Sequence, residues 1–171
     1  GYRDSDSIER YSLTGRWFYD FSPSTSLGFI VRLSDFDADS PGYLTAAQLK
    51  EDRKQQADFA SEDSGNKQTQ SYSLHFDHQF TDDVSWSIKS YFNDYERERF
   101  VDFSSGLRRR IDDQEHYGLI SNLNWNINDS WSVQWGADIE HQDVHEFRVA
   151  IASPTFIRRD WDFDLTSYGT Y

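Results

Sequence analysis

The 171-residue sequence contains no cysteine, so a disulfide framework, thiol chemistry and cysteine-ligated metal sites are excluded. It also has no run approaching the roughly 20 apolar residues that a transmembrane helix requires. Methionine is absent, the first residue is glycine, and no signal-peptide pattern precedes the rest. We therefore expect the chain to be an internal fragment of a longer protein or a trimmed form of one.

Basic residues are scarce relative to acidic ones: 17 Lys and Arg face 30 Asp and Glu, which gives a net charge of -13. Nucleic acid is excluded as the main partner, because phosphate binding needs a basic surface. Mean hydropathy is only -0.84. Aromatic residues nevertheless make up 17% of the chain, which excludes general disorder. This combination predicts a narrow, aromatic-rich apolar surface within a largely polar protein.

Apolar and polar residues alternate with a period of two, which is typical of strands with one apolar face. In the first run Leu13, Trp17 and Tyr19 alternate with residues such as Ser12 and Arg16. Six such runs form three hairpins with short turns at residues 22–25, 81–83 and 128–130. Long polar segments are expected at residues 35–69, 93–115 and 143–164, the first with a short helix at 45–54. Residues 166–171 start a seventh strand.

Aromatic residues gather near the three short turns, at what would be one end of the sheet. They are Trp17, Tyr19, Phe21, Phe80, Trp86, Trp125 and Trp131. Strands of about ten residues, short turns at one rim, long loops at the other and an aromatic girdle are typical of outer-membrane barrels. The pattern predicts an all-β fold. Residues 1–171 would form part of a single antiparallel transmembrane β-barrel domain, with about six strands in three hairpins and long extracellular loops. A soluble antiparallel sandwich is the alternative.

Several short phrases resemble TonB-dependent outer-membrane receptors, especially those for ferric siderophores. They are residues 40–49 (SPGYLTAAQL), 73–78 (SLHFDH) with Trp86, 90–95 (SYFNDY), 134–138 (QWGAD) and 166–171 (TSYGTY). The resemblance implies a barrel of about 22 strands around a plug domain. We expect this chain to supply about six of those strands and none of the plug domain. The resemblance also implies TonB-dependent uptake of a ferric siderophore or similar iron chelate. The implied partners are outer-membrane lipid and lipopolysaccharide, and the TonB complex through the plug.

Arginines cluster in the second long segment of this otherwise acidic chain, and more follow in the third. Guanidinium groups bind carboxylate and phosphate oxygens in bidentate geometry. We therefore expect a cationic patch that contacts an anionic ferric chelate or lipopolysaccharide phosphates, with aromatic side chains beside it. The candidate ligand residues are Arg97, Arg99, Arg108, Arg109, Arg110, Tyr43 and Tyr95, with possible additions at Tyr91, Phe100, Phe103, Arg148, Arg158 and Arg159. Salt bridges within the loops to Glu96, Glu98, Asp112 and Asp113, and loop packing of the aromatics, are the alternatives.

No placed catalytic motif is present, and we expect no enzymatic activity, no bound metal and no cofactor. His75 and Asp77 fall on one face of a strand and His78 on the other. That division favours a polar pair plus an interfacial histidine over a metal site. A soluble β-rich carbohydrate-binding module, an outer-membrane porin and an outer-membrane hydrolase stay open as alternative functions.

Overall fold

Seven strands follow one another across a single antiparallel sheet, each hydrogen-bonded to the next in chain order. The computed structural model describes residues 2–102 and 106–171, except for the side chains of 153–158. The strands are β1 (Ile8–Ser22), β2 (Thr25–Asp39), β3 (Ser64–Thr81), β4 (Val84–Asp102), β5 (Leu107–Asn128), β6 (Trp131–Ala150) and β7 (Ser153–Thr170). Helix α1 (Ala46–Glu51) and a 3-10 helix (Asp58–Ala60) lie between β2 and β3. The sheet is open, with β1 and β7 at its edges, and it confirms the predicted all-β antiparallel fold.

The three short turns lie where the sequence predicts them, at one end of the sheet that we call the turn end. They connect β1 to β2, β3 to β4 and β5 to β6. Side-chain bonds to the backbone occur in all three turns: Ser22 Oγ accepts from Ser24 N at 3.3 Å, Thr81 Oγ1 from Val84 N at 3.1 Å, and Asn128 Oδ1 from Ser130 N at 2.9 Å. Short polar side chains that bond the backbone two or three residues on favour such turns.

The strands are longer than predicted at the opposite end, which we call the loop end. The expected long segments 93–115 and 143–164 are wrong as loops, because β4 reaches Asp102, β5 starts at Leu107, β6 reaches Ala150 and β7 starts at Ser153. The first segment is also shorter than predicted and spans residues 40–63. Both faces carry polar side chains at this end, so the hydrophobic alternation fades although the backbone ladder continues. Strands of 15 to 22 residues result.

One face of the sheet, the apolar face, carries the predicted aromatic and aliphatic residues in direct cross-strand register. Trp17 lies opposite Phe29, and Phe29 lies opposite Leu74. Trp86 lies opposite Leu123, which in turn lies opposite Trp135. The seven aromatics predicted near the short turns share this face and this end. This confirms that they form one group at the turn end, which we call the belt.

No second layer covers the apolar face within the described residues, so its large side chains are open. Trp17 is 58% exposed, Trp125 50% and Trp131 70%. Among the described residues, the apolar side chains with no exposed surface are Ala57 and Ala60 in the 40–63 segment. No helix in the described ranges is both long and apolar enough for a membrane span.

The 40–63 segment is held at the loop end by one arginine near the start of the chain. Arg3 donates to the carbonyl oxygens of Pro41 at 2.9 Å, Gly42 at 2.5 Å and Gln55 at 2.9 Å. Within the segment, Thr45 caps helix α1 through a capping box with Gln48, which confirms the predicted helix.

Candidate ligand-binding face

Four arginines lie side by side across four neighbouring strands on the side of the sheet opposite the apolar face, which we call the polar face. Arg99 pairs with Arg110, Arg110 with Arg148, and Arg148 with Arg159. Residues directly opposite in antiparallel strands project from the same face. Neighbouring strands are about 4.8 Å apart, so this arginine row spans about 14 Å near the loop end.

Further cations flank the arginine row on the same face. Lys67 and Arg97 pair with each other one row closer to the turn end, and Arg108 pairs with Ala150 one row closer to the loop end. The rows that contain Arg97, Arg99 and Arg108 run from β3 to the described side chains of β7. Together they hold seven cationic side chains and two carboxylates, Asp112 and Glu146. The polar face is therefore locally positive in a chain whose net charge is -13.

Two carboxylates in this patch form ion pairs with three of its arginines, Arg99, Arg148 and Arg159. Glu146 accepts from Arg159 at 2.6 Å and from Arg148 at 3.2 Å, and these guanidinium groups hold the pKa of Glu146 below its usual range. Asp112 lies 3.9 Å from Arg99. Burial, followed by the charges of Arg148, Arg99 and Arg108, lowers the pKa of Arg110, while Asp112 acts in the opposite direction. Like charges directly opposite each other on a sheet destabilise it. An anion bound at the arginine row would therefore reduce the repulsion between its guanidinium groups.

Aromatic rings on the polar face accompany the cations. The Nζ atom of Lys67 lies 5.2 Å from the ring centroid of Tyr95, and Arg159 Cζ lies 3.9 Å from that of Trp161. Tyr95 is thus placed beside the cationic patch, as the sequence predicts. Trp161 is an additional aromatic that sequence reasoning missed, since its face is known only from its pairing with Glu146.

The predicted site residues are brought together only in part. Arg97, Arg99, Arg108 and Arg110 share the polar face with Tyr95, but Arg109 projects from the apolar face, where it pairs with Phe100 and donates to Glu98. The structure therefore separates Arg109 from Arg108 and Arg110, because successive strand residues alternate faces. The predicted salt bridge within the segment is present for Arg109.

The other aromatic candidates are dispersed. Tyr43 lies in the 40–63 segment, 73% exposed, with its ring centroid 4.8 Å from that of Phe59. Tyr91 is on the polar face nearer the middle of β4 and donates to Glu140 Oε2 at 2.7 Å. Phe100 is on the apolar face opposite Arg109. Phe103 and the side chain of Arg158 lie outside the described residues.

The histidines near the end of β3 do not converge. His75 is on the polar face and contacts Ser73 Oγ at 2.9 Å, whereas His78 is on the apolar face and contacts Thr25 Oγ1 at 2.8 Å. His78 lies among the belt aromatics, 4.6 Å from Phe80 between ring centroids. This placement agrees with the predicted polar pair and interfacial histidine.

The loop end of the apolar face has the opposite charge and forms an acidic band. Asp94, Glu115, Asp143 and Asp164 form one cross-strand row; Glu96, Asp113, His145 and Asp162 form the next. Burial is the main cause that raises the pKa of Asp113, and the neighbouring charge of Asp94 adds to it. The same strand segments thus carry positive charge on the polar face and negative charge on the apolar face.

The fold is similar to that of a larger solved protein, the ferric citrate transporter FecA in its unliganded form. The TM-score is 0.73, and the match covers 98% of this chain and 26% of the FecA chain at 16% sequence identity. At this identity the likeness shows the fold alone, a segment of a β-barrel. No protein-family model matches the sequence, and no curated protein sequence matches it either.

Proposed function

We propose that the chain forms part of the barrel wall of a bacterial outer-membrane transporter that takes up an anionic iron chelate. The observation that carries this proposal is the arginine row on the polar face of a sheet whose opposite face is an open aromatic surface. In a transmembrane barrel the apolar face meets lipid and the opposite face lines the interior. The arginine row then lies inside, near the outer rim.

The interior position favours a soluble ligand over lipid for the arginine row. Lipopolysaccharide phosphates lie outside the barrel, on the side of the acidic band, where Arg109 already pairs with Glu98. The arginine row faces the other way and mixes guanidinium groups with Tyr95 and Trp161, as ligand sites commonly do. We therefore assign Arg97, Arg99, Arg108 and Arg110, with Tyr95, to chelate contact, and Tyr43 to the outer entrance.

The open apolar face favours a membrane protein, with this face in contact with lipid, over a soluble carbohydrate-binding module. Seven turn-end aromatics line one rim of a face that no layer covers within the described chain, and Trp131 at that rim is 70% exposed. Monomeric soluble proteins rarely leave an apolar patch of that extent open to water. Outer-membrane lipid and lipopolysaccharide are accordingly the proposed partners of this face.

The rest of the transporter is proposed from the sequence resemblance. An open sheet of seven strands has two unpaired edges, and lipid does not tolerate unpaired strand edges. We propose that further strands close the barrel, with a plug domain that couples transport to the TonB complex. Iron would enter within its chelate as cargo.

The test is uptake of radioactive iron by the complete protein in the outer membrane of a host that lacks other chelate receptors. The probes are a citrate chelate, which is anionic, and a neutral trihydroxamate chelate. We expect uptake of the citrate chelate, reduced more than about tenfold by Arg99→Gln combined with Arg110→Gln, because charge-assisted hydrogen bonds contribute about 1.5–3 kcal/mol each. Arg109→Gln is the matched control, and we expect its uptake to stay within about twofold of wild type, because its neighbours lie on the other face.

Two results would contradict parts of this proposal separately. If the wild-type protein takes up neither chelate, the transport function is wrong. If it transports the citrate chelate and all variants behave alike, transport stands and the arginine row is not the ligand site.

A further inference from the structure

A histidine and two aspartates converge on the acidic band, on the face opposite the arginine row. His145 of β6 lies directly opposite Asp162 of β7, and Asp160 is two residues earlier on the same face of β7. The Nδ1 atom of His145 lies 2.5 Å from Asp162 Oδ1. One ligating atom from each of the three side chains lies within 4.8 Å of the other two.

From this convergence we propose that His145, Asp160 and Asp162 bind one divalent transition-metal ion of the Zn²⁺ type. The set offers one imidazole nitrogen and two carboxylate oxygens. Imidazole suits zinc and related metals, whereas Ca²⁺ and Mg²⁺ prefer oxygen ligands alone. Three protein ligands leave a fourth tetrahedral position for water, and the site is open enough for it, since the Asp162 side chain is 80% exposed.

The backbone places these ligands independently of the metal. All three residues belong to the paired strands β6 and β7, whose ladder continues through this region. The three positions are therefore set by strand pairing, and only side-chain rotation is needed to close the site. A site of this kind loses little conformational entropy when the ion binds.

The surroundings favour a cation at this position. Asp113 lies directly opposite His145, and Asp143 and Asp164 form the adjacent row on the same shallow depression. Carboxylates that face one another across strands repel, and a divalent ion among them offsets that repulsion. The imidazole nitrogen separates this site from the rest of the acidic band, which offers oxygen ligands alone.

A second histidine on the same face provides a matched control. His141 lies 3.2 Å from Asp143 Oδ1 and 2.7 Å from Thr166 Oγ1, so it also has a carboxylate partner. It belongs to no group of three ligating side chains among the described residues. Removing His141 therefore takes away a comparable histidine–aspartate pair and leaves the proposed metal site intact.

The experiment uses the complete protein in detergent, stripped with a chelator and then dialysed against Zn²⁺, with bound metal measured directly. Co²⁺ serves as a second probe, since its visible absorption reports tetrahedral coordination. We expect His145→Ala and Asp160→Asn each to weaken binding more than about tenfold, while His141→Ala stays within about twofold of wild type. Iron-chelate uptake by Asp160→Asn should remain at the wild-type level, which separates this site from the transport function.

Folding of each variant is checked by its heat-dependent mobility in gel electrophoresis, as for barrels generally. Asp160 is exposed, so Asp160→Asn is expected to fold. Its metal affinity decides the test if His145→Ala does not fold. A wild-type protein without stoichiometric Zn²⁺ binding, or a folded Asp160→Asn protein with unchanged affinity for Zn²⁺ and Co²⁺, would overturn the proposal.

Discussion

Arg110 of β5 lies directly opposite Arg148 of β6, with both guanidinium groups on the polar face. Its sequence neighbour Arg109 lies opposite Val149 and contacts Glu98 on the other face. The two adjacent arginines therefore project to opposite faces: Arg110 lies in a row of arginines, and Arg109 contacts a glutamate. This contrast makes them useful as a pair of probes.

We expect the arginine row to make stability depend on the anions in solution. In wild type, sulfate should raise the free energy of unfolding more than chloride does at equal ionic strength, because a divalent oxyanion relieves the repulsion between Arg110 and Arg148. Arg110→Gln should shrink this difference. Denaturant unfolding of the complete protein in both salts measures it.

Arg109→Gln is the control for the anion effect, since it removes an arginine from the same strand without touching the row. It should keep the wild-type difference between sulfate and chloride. An equal loss of the difference in both variants would show that general salt effects, and not the arginine row, cause it.

Glu146 should contribute stability in a pH-dependent way. Arg159 and Arg148 lower its pKa, so its contribution is complete above the unfolded value of about 4.3 and is lost as pH falls through the lower folded value. We expect Glu146→Gln to reduce the free energy of unfolding by about 0.5–1 kcal/mol at pH 7. Denaturant unfolding from pH 3 to pH 7 checks this. A wild-type advantage that grows below about pH 4 would contradict the assigned pairing.

The 40–63 segment should depend on Gly42. Its φ is +65°, and a Cβ added there would lie 2.5 Å from the Cβ of Ala60. We expect Gly42→Ala to loosen this segment, because positive φ costs an alanine about 1–2 kcal/mol and the crowding adds to it. Faster hydrogen exchange at residues 40–63 is the readout.

Gly106→Ala is a suitable comparison for Gly42, because Gly106 also has a positive φ, of +100°, but no atom of the described residues lies within 4 Å of an added Cβ. That variant should leave exchange in the 40–63 segment unchanged. If Gly42→Ala also leaves it unchanged, Gly42 does not hold the segment in place.

The turn between β5 and β6 should depend on the side chain of Asn128. Its Oδ1 accepts from Ser130 N at 2.9 Å and from Trp131 N at 3.1 Å. We expect Asn128→Ala to cost about 1–2 kcal/mol in unfolding free energy, because it removes two hydrogen bonds that each contribute about 0.5–1.5 kcal/mol. Asp129→Ala, at a neighbouring turn position whose side chain makes no hydrogen bond in the described structure, should cost less. Equal losses would argue against the turn bonds.

The turn end was predictable from sequence, since hydrophobic alternation and local turn chemistry both operate there. Trp17 and Trp131 could be assigned to one belt because each lies within a few residues of a turn. The loop end was not predictable in the same way. Between Asn93 and Arg99 both faces carry polar or charged residues apart from Tyr95, so strand pairing continues with little hydrophobic signal.

The candidate site depends on register, which the sequence does not reveal. Alternation alone separates Arg109 from Arg108 and Arg110, and that signal could have been used once the segment was recognised as a strand. The alignment of Arg99, Arg110, Arg148 and Arg159 requires the pairing of four strands. The convergence of His145 with Asp160 depends in the same way on the β6–β7 register.

The proposed function requires that the apolar face meets lipid while the polar face lines the interior. Leu119 and Ile120 are neighbours in β5 and lie on opposite faces, Leu119 across from Ile139 and Ile120 across from Asp138. This chain has no cysteine, so a nitroxide can be attached at either position through an introduced cysteine, with any cysteine elsewhere in the complete protein replaced by serine. Spin-label accessibility in the complete protein in lipid vesicles should show oxygen favoured at position 119 and a water-soluble nickel complex favoured at position 120. Equal accessibility at the two positions, or the reverse order, would contradict the claim.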